Sequence, residues 1–245
     1  MQRYFFEIAY NGSSFHGWQR QPNATSIQEV IEVTFSKLQS GKEVSIVGCG
    51  RTDAGVHAKK YFFHVELPEI ENIGHLIFKI NRMFPKDIAV YNIQSVKADL
   101  HARFDAKKRT YRYFIHQQKN PFKDGLSLYY PTELNFEAMN SAANLLLGTK
   151  DFSSFSKLHT DVKTNICTVS HASWFVSENE TYFEITADRF LRNMVRAIVG
   201  TLIDVGLGKL SIDDVLSILA AKDRQEASLS VPAHGLYLWD IKYEL

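Results

Sequence analysis

Cysteine is scarce in this chain. Cys49 and Cys167 are the only two among 245 residues, far apart and in no metal-ligand spacing. A disulfide-stapled scaffold is excluded, and a reducing cytoplasmic compartment is expected. The nine histidines are scattered and form no H-E-x-x-H motif, so no metal is expected either. No apolar run approaches the ~18 residues of a membrane span, and the charged opening MQRYFFEIAY is unlike a secretory signal. An excess of one charge is also missing: Lys and Arg total 28 against 27 Asp and Glu. Overall charge is therefore no guide to nucleic acid, and only local clustering can decide.

What the chain does have is apolar and aromatic material, 45% and 13% of its residues, enough for a core. Its length allows one large domain or two of about 150 residues or fewer. RYFFEIAY (3–10) is aromatic and β-branched, as a strand requires. Residues 25–40 put Ile27, Ile31, Phe35 and Leu38 on one helical face, with Ser26 and Glu29 as a capping box. Strands are expected at 43–47, 60–67 and 88–96, and a helix at 69–84, stopped by Pro85. The second half repeats the order: a strand at 109–117, a helix at 135–148, strands at 164–176 and 181–187, and a helix at 189–205. An extra helix at 211–221 and a closing strand at 236–242 follow. The expected fold is α+β: two related split-βαβ (ferredoxin-like) halves, 1–100 and 101–245, with antiparallel sheets and a cleft between them.

Four segments carry candidate chemistry. GCGRTDAGVHA (48–58) sets Arg51 and Asp53 two apart in a β-β connection rich in small residues. It is either a tethered turn or a charged tool beside a closely approaching ligand. His57 has no nucleophile to serve and reads as a packing residue. HARFDAKKRTYRY (101–113) sets Arg103, Lys107, Lys108, Arg109 and Arg112 against Asp105. Tyr111 and Tyr113 share one strand face and Arg112 takes the other. Cations with interleaved rings suit phosphates and stacked bases, or else a solvated strand with its tyrosines in the core. DRFLRNMVRAIVG (188–200) spaces Arg189, Arg192 and Arg196 as a helical stripe. Arg196 lies deepest among apolar residues; if buried it needs an acid, and Asp53 is a candidate. YNGSSFHGWQRQP (10–22) reads as a loop packing on Trp18 or facing a substrate.

Together with DFSSF and VPAHGLYLW, these segments occur in the order found in the tRNA pseudouridine synthase A (TruA) family, which the chain resembles over residues 10–239. Lys150, before DFSSF, departs from the His often found there. The resemblance implies isomerisation of uridine to pseudouridine in the anticodon stem-loop of tRNA, at positions 38, 39 and 40. It implies no cofactor, and a cytoplasmic homodimer holding tRNA in basic clefts. By matching motif, Asp53 is the catalytic carboxylate and Arg196 its partner in the catalytic site. Tyr111 stacks on the target uracil, and Arg51 assists in displacing the base. Two other classes compete. A non-catalytic RNA-binding protein has no use for Asp53 near phosphates. A glycoside hydrolase needs a second carboxyl ~5–9 Å from the first, and none is evident.

Overall fold

The computed structural model describes residues 1–157 and 163–244. The chain divides into two compact units: Met1–Lys107 with the stretch from Tyr237 on, and Lys108–Leu236. Both are α+β, built from mostly antiparallel sheet and helices.

The first unit runs β1 (Gln2–Tyr10), α1 (Ile27–Leu38), β2 (Val47–Gly48), β3 (His57–Leu67), α2 (Ile73–Met83) and β4 (Ile88–Ser95). β1 pairs antiparallel with both β3 and β4, so it lies between them. Alternate residues Tyr4, Phe6, Ile8 and Tyr10 of β1 and Tyr61, Phe63 and Val65 of β3 are buried, as period-2 patterning demands. Phe6 stacks on Phe63 at 4.9 Å, and Phe35 of α1 meets both rings edge-on. Such pairs add ~0.5–1.5 kcal/mol each beyond the area they bury. Ser26 caps α1 by accepting the Glu29 N–H.

The expected strand at 43–47 shrinks to the two residues of β2. Side chains of α1 take the main-chain groups that a longer ladder would use. The Ile46 N–H donates to Glu32, and the Gln28 amide donates to the Ile46 carbonyl.

The second unit runs β5 (Lys108–His116), β6 (Leu128–Tyr129), α3 (Phe136–Asn144), β7 (Gly148–Asp151), β8 (Ile166–Val176), β9 (Thr181–Ala187), α4 (Met194–Gly206) and α5 (Ile212–Ala221). Its sheet is ordered β5-β9-β8-β7, antiparallel throughout, with β6 parallel to β5. Asn135 caps α3 as its sequence implies, but the helix stops at Asn144, and Gly148 (φ +90°) instead opens β7. α5 has the full capping box between Ser211 and Asp214.

The last strand, β10 (Leu236–Lys242), departs from a simple two-half division. From Tyr237 on it belongs to the first unit, where it runs parallel to β3. Residues 101–107 also belong there, so the basic segment 101–113 is divided between the units.

Candidate active site

Asp53 stands in the loop between β2 and β3, half-buried, with exposed Arg51 two residues earlier. The main chain around it is held from one side by residues 10–18. The Trp18 N–H donates to the Thr52 carbonyl at 3.2 Å, and the Gly55 N–H to the Phe15 carbonyl at 3.2 Å. The Val56 N–H closes a turn on the Asp53 carbonyl at 3.2 Å. Tyr10 and Thr52 share a hydroxyl hydrogen bond of 2.9 Å. The 10–18 loop is itself tied to α1, whose Ile27 and Gln28 amides donate to the carbonyls of Gly17 and Trp18.

Two glycines make this contact possible. A Cβ on Gly12 would sit 2.0 Å from the Val56 carbonyl oxygen, and one on Gly17 (φ +88°) 2.5 Å from that of Thr52. The glycines inside the Asp53 loop have different tasks. Gly48 makes room for the Tyr61 hydroxyl and the Trp18 ring, and Gly55 (φ +77°) makes the turn.

Trp18 is therefore a packing residue, stacked on Tyr61 at 4.1 Å, and what it packs is the Asp53 loop. Burial pushes the Tyr61 phenol well above its ordinary pKa, so it remains a neutral donor to the Gly50 carbonyl. His57 is buried, accepts the Gly12 N–H at Nδ1 (3.1 Å) and stacks on Tyr237 at 4.5 Å. It is structural, as expected.

Tyr111 and Arg196 belong to the second unit. Tyr111 and Tyr113 project from the same face of β5; Tyr113 is fully buried and Tyr111 half-buried. The edge of one of the Tyr111 and Phe190 rings meets the face of the other at 5.0 Å, which fixes the Tyr111 plane. Tyr113 donates its hydroxyl to the Pro232 carbonyl at 2.8 Å. Burial raises its pKa strongly, partly offset by the Arg196 charge nearby. Arg196 donates from Nε to the Val231 carbonyl at 2.7 Å, and the Val231 N–H returns to the Arg196 carbonyl at 3.2 Å. Adjacent carbonyls of one short segment thus hold Arg196 and Tyr113.

The arginine stripe does not form. α4 begins only at Met194, because Asn193 adopts a left-handed conformation (φ 67°) that interrupts the helix expected from 189. Arg189 instead donates to the Thr164 carbonyl at 3.0 Å. Of the three, Arg196 alone stands in the helix. The basic strand is also less cationic than its sequence implies. Arg112 meets Glu184 at 2.6 Å and covers the Tyr182 ring at 4.4 Å, and Lys107 lies 3.6 Å from Glu244.

Asp53 and Arg51 therefore share one loop of the first unit, and Tyr111 and Arg196 gather around Tyr113 in the second. Sequence reasoning missed what holds them: Gly12 and Gly17 on one side, Phe190 and Val231–Pro232 on the other. The glycines of YNGSSFHGW and the proline and glycine of VPAHG were the available signals. Among the described residues, no group of three or more His, Cys, Asp or Glu could hold a metal ion, and no helix is long and apolar enough to cross a membrane.

A family model described as tRNA pseudouridine synthase matches residues 142–244. A curated tRNA pseudouridine synthase A of Parabacteroides distasonis is 52% identical, over 99% of this chain and 96% of its own length. That of Porphyromonas gingivalis is 51% identical, over 99% and 98%. That of Bacillus subtilis is 39% identical, over 97% of each.

Proposed function

Since the chain belongs to the tRNA pseudouridine synthase A family, we propose that it isomerises uridine to pseudouridine in the anticodon stem-loop of tRNA, at positions 38, 39 and 40. It acts in the cytoplasm as a homodimer and uses no cofactor. The reaction breaks the N1–C1′ bond, turns the uracil, and joins C1′ to C5; the C5 proton passes to solvent and N1 takes one up.

Asp53 is the catalytic carboxylate. It must be ionised to attack the ring or the sugar, or to take a proton from the sugar. Arg196 is its partner, since a guanidinium beside a carboxyl favours the charged form. Tyr111 stacks on the uracil and keeps the detached base from diffusing away. Arg51 helps to displace the target from its stack, a step that costs a few kcal/mol.

The observation that carries this reading is the clamp on the Asp53 loop. Main-chain bonds at Thr52, Asp53, Gly55 and Val56 fix the backbone of a half-buried carboxylate, the preorganisation that chemistry requires and a solvated turn does not.

The test is tritium release from C5-labelled uridine in unmodified tRNA, followed by mapping of the modified position. Asp53→Asn should lower turnover by about 10⁴-fold or more while filter-retained tRNA binding stays roughly unchanged. Unaltered turnover refutes the role of Asp53. Modification outside the anticodon stem-loop refutes the specificity.

A further inference from the structure

We infer that Arg224 is a positioning residue for Arg196, acting through the strap Ala227–Val231. The inference rests on the catalytic part given to Arg196 above.

Arg224 closes a short loop with both ends of its guanidinium. Nη1 donates to the Ala227 carbonyl at 3.0 Å and Nη2 to the Ser230 hydroxyl at 2.9 Å. Ser230 also accepts from the Asn193 side-chain amide, so one hydroxyl joins Arg224 to the residue whose left-handed turn starts α4. The next residue, Val231, receives the Arg196 Nε. The strap lies directly on the helix. Its Ser228 N–H donates to Thr201 at 3.3 Å, and a Cβ on Gly200 would stand 2.0 Å from the Leu229 carbonyl oxygen.

Apolar burial does little to seat the middle of this strap. Leu229 is 91% exposed, with only the smaller Ala227 and Val231 buried on either side. Polar contacts therefore set where the Val231 carbonyl sits, and that carbonyl sets the direction of Arg196. The fork of Arg224 suits the task because two parallel donors fix a plane, which a lysine ammonium cannot do. A shift of about 1 Å in a group that acts on the reacting centre can cost ~10²-fold in rate.

Single-turnover and steady-state tritium release should be measured for Arg224→Ala and Arg224→Lys, each alone and combined with Arg196→Ala. Arg224→Ala is expected to lower kcat about tenfold with KM for tRNA within about twofold, and Arg224→Lys to restore little of it. In the Arg196→Ala background the further loss should shrink below about twofold, because the route of action is gone. An equal loss in both backgrounds overturns the positioning role and leaves the catalytic role of Arg196 standing. Full rescue by Lys with a changed KM overturns it in favour of a phosphate contact. If Arg196→Ala alone retains turnover, the catalytic reading of Arg196 fails first. Should Arg224→Ala not fold, Ser230→Ala removes the shared acceptor alone and must show the same non-additivity; additive loss there is equally fatal.

Discussion

The two units hold the groups proposed to react by opposite means. In the first, Asp53 rides on a loop whose main chain is gripped by another main chain, Trp18 to Thr52 and Gly55 to Phe15. In the second, Arg196 stands on a regular helix and its side chain is aimed by the Val231 carbonyl. A carboxylate with a short side chain is placed once its backbone is placed. A long guanidinium side chain keeps its rotamers wherever its Cα sits, so it needs a second point of attachment. The difference lies in side-chain length as much as in fold.

The largest effects that can break this comparison come from the arginines. Arg196→Lys loses the planar guanidinium that donates to the Val231 carbonyl, and kcat should fall about 10²-fold if the proposed role of Arg196 holds. Arg51→Lys, at an exposed position, should cost about tenfold or less. If Arg51→Lys proves the more damaging, the division of labour is wrong.

Next come the two glycines at matching close contacts. Gly12→Ala and Gly200→Ala each drive a methyl to within 2.0 Å of a carbonyl oxygen, of Val56 and of Leu229. Each should destabilise by ~1–3 kcal/mol, roughly 2–4 °C of melting temperature per kcal/mol at this chain length. Calorimetry reads the stability, and turnover should fall in both because each displaces what holds a residue proposed to react. An unchanged kcat in Gly12→Ala would detach the 10–18 loop from the reaction.

Smaller still is the hydroxyl pair. Tyr10→Phe removes the bond to Thr52, and Tyr113→Phe the bond to Pro232. Each should cost ~1–2 kcal/mol in urea unfolding, the penalty for a buried partner left unsatisfied.

A separate effect is a pH slope confined to the first unit. Burial, and then the Arg3 charge, lower the His64 pKa from 6.5 to about 4. Its Nδ1 already accepts the Ala102 N–H, so a proton there would displace that bond. The unfolded chain takes up the proton first, so stability falls as pH drops from about 6.5 toward 4. His64→Asn, which can still accept from Ala102, should flatten the urea midpoint across that window. An undiminished slope would assign the acid sensitivity elsewhere.

Much of this was readable beforehand. β1, β3, β4, β5, β8 and β9 are legible as runs rich in aromatic and β-branched residues, and α1 as an apolar face at helical spacing. The Asp53 loop was readable because Arg, Asp and small residues are compressed into eleven positions. The false helix start at 189 shows where such reasoning fails. FLRN is compatible with a helix locally, and only Ser230, 37 residues on, takes the Asn193 side chain while Asn193 turns left-handed. The shortened β2 fails in the same way, since Glu32 and Gln28 of the preceding helix capture the Ile46 backbone. The spacing of Gly12 and Gly17 was visible, but their task was not, because it depends on a carbonyl some 40 residues away.

The return of β10 to the first unit has a consequence for synthesis. His57, at the end of the Asp53 loop, stacks on Tyr237, and Tyr243 donates to the Ala102 carbonyl. About 130 residues separate Lys107 from Tyr237. At a ribosomal pace of about 5–20 residues per second, the N-terminal portion waits roughly 6–26 seconds for its last strand. The second unit, contiguous in the message, is translated whole within that interval. The carboxylate loop, though encoded early, is among the last parts of the molecule to receive its final neighbours.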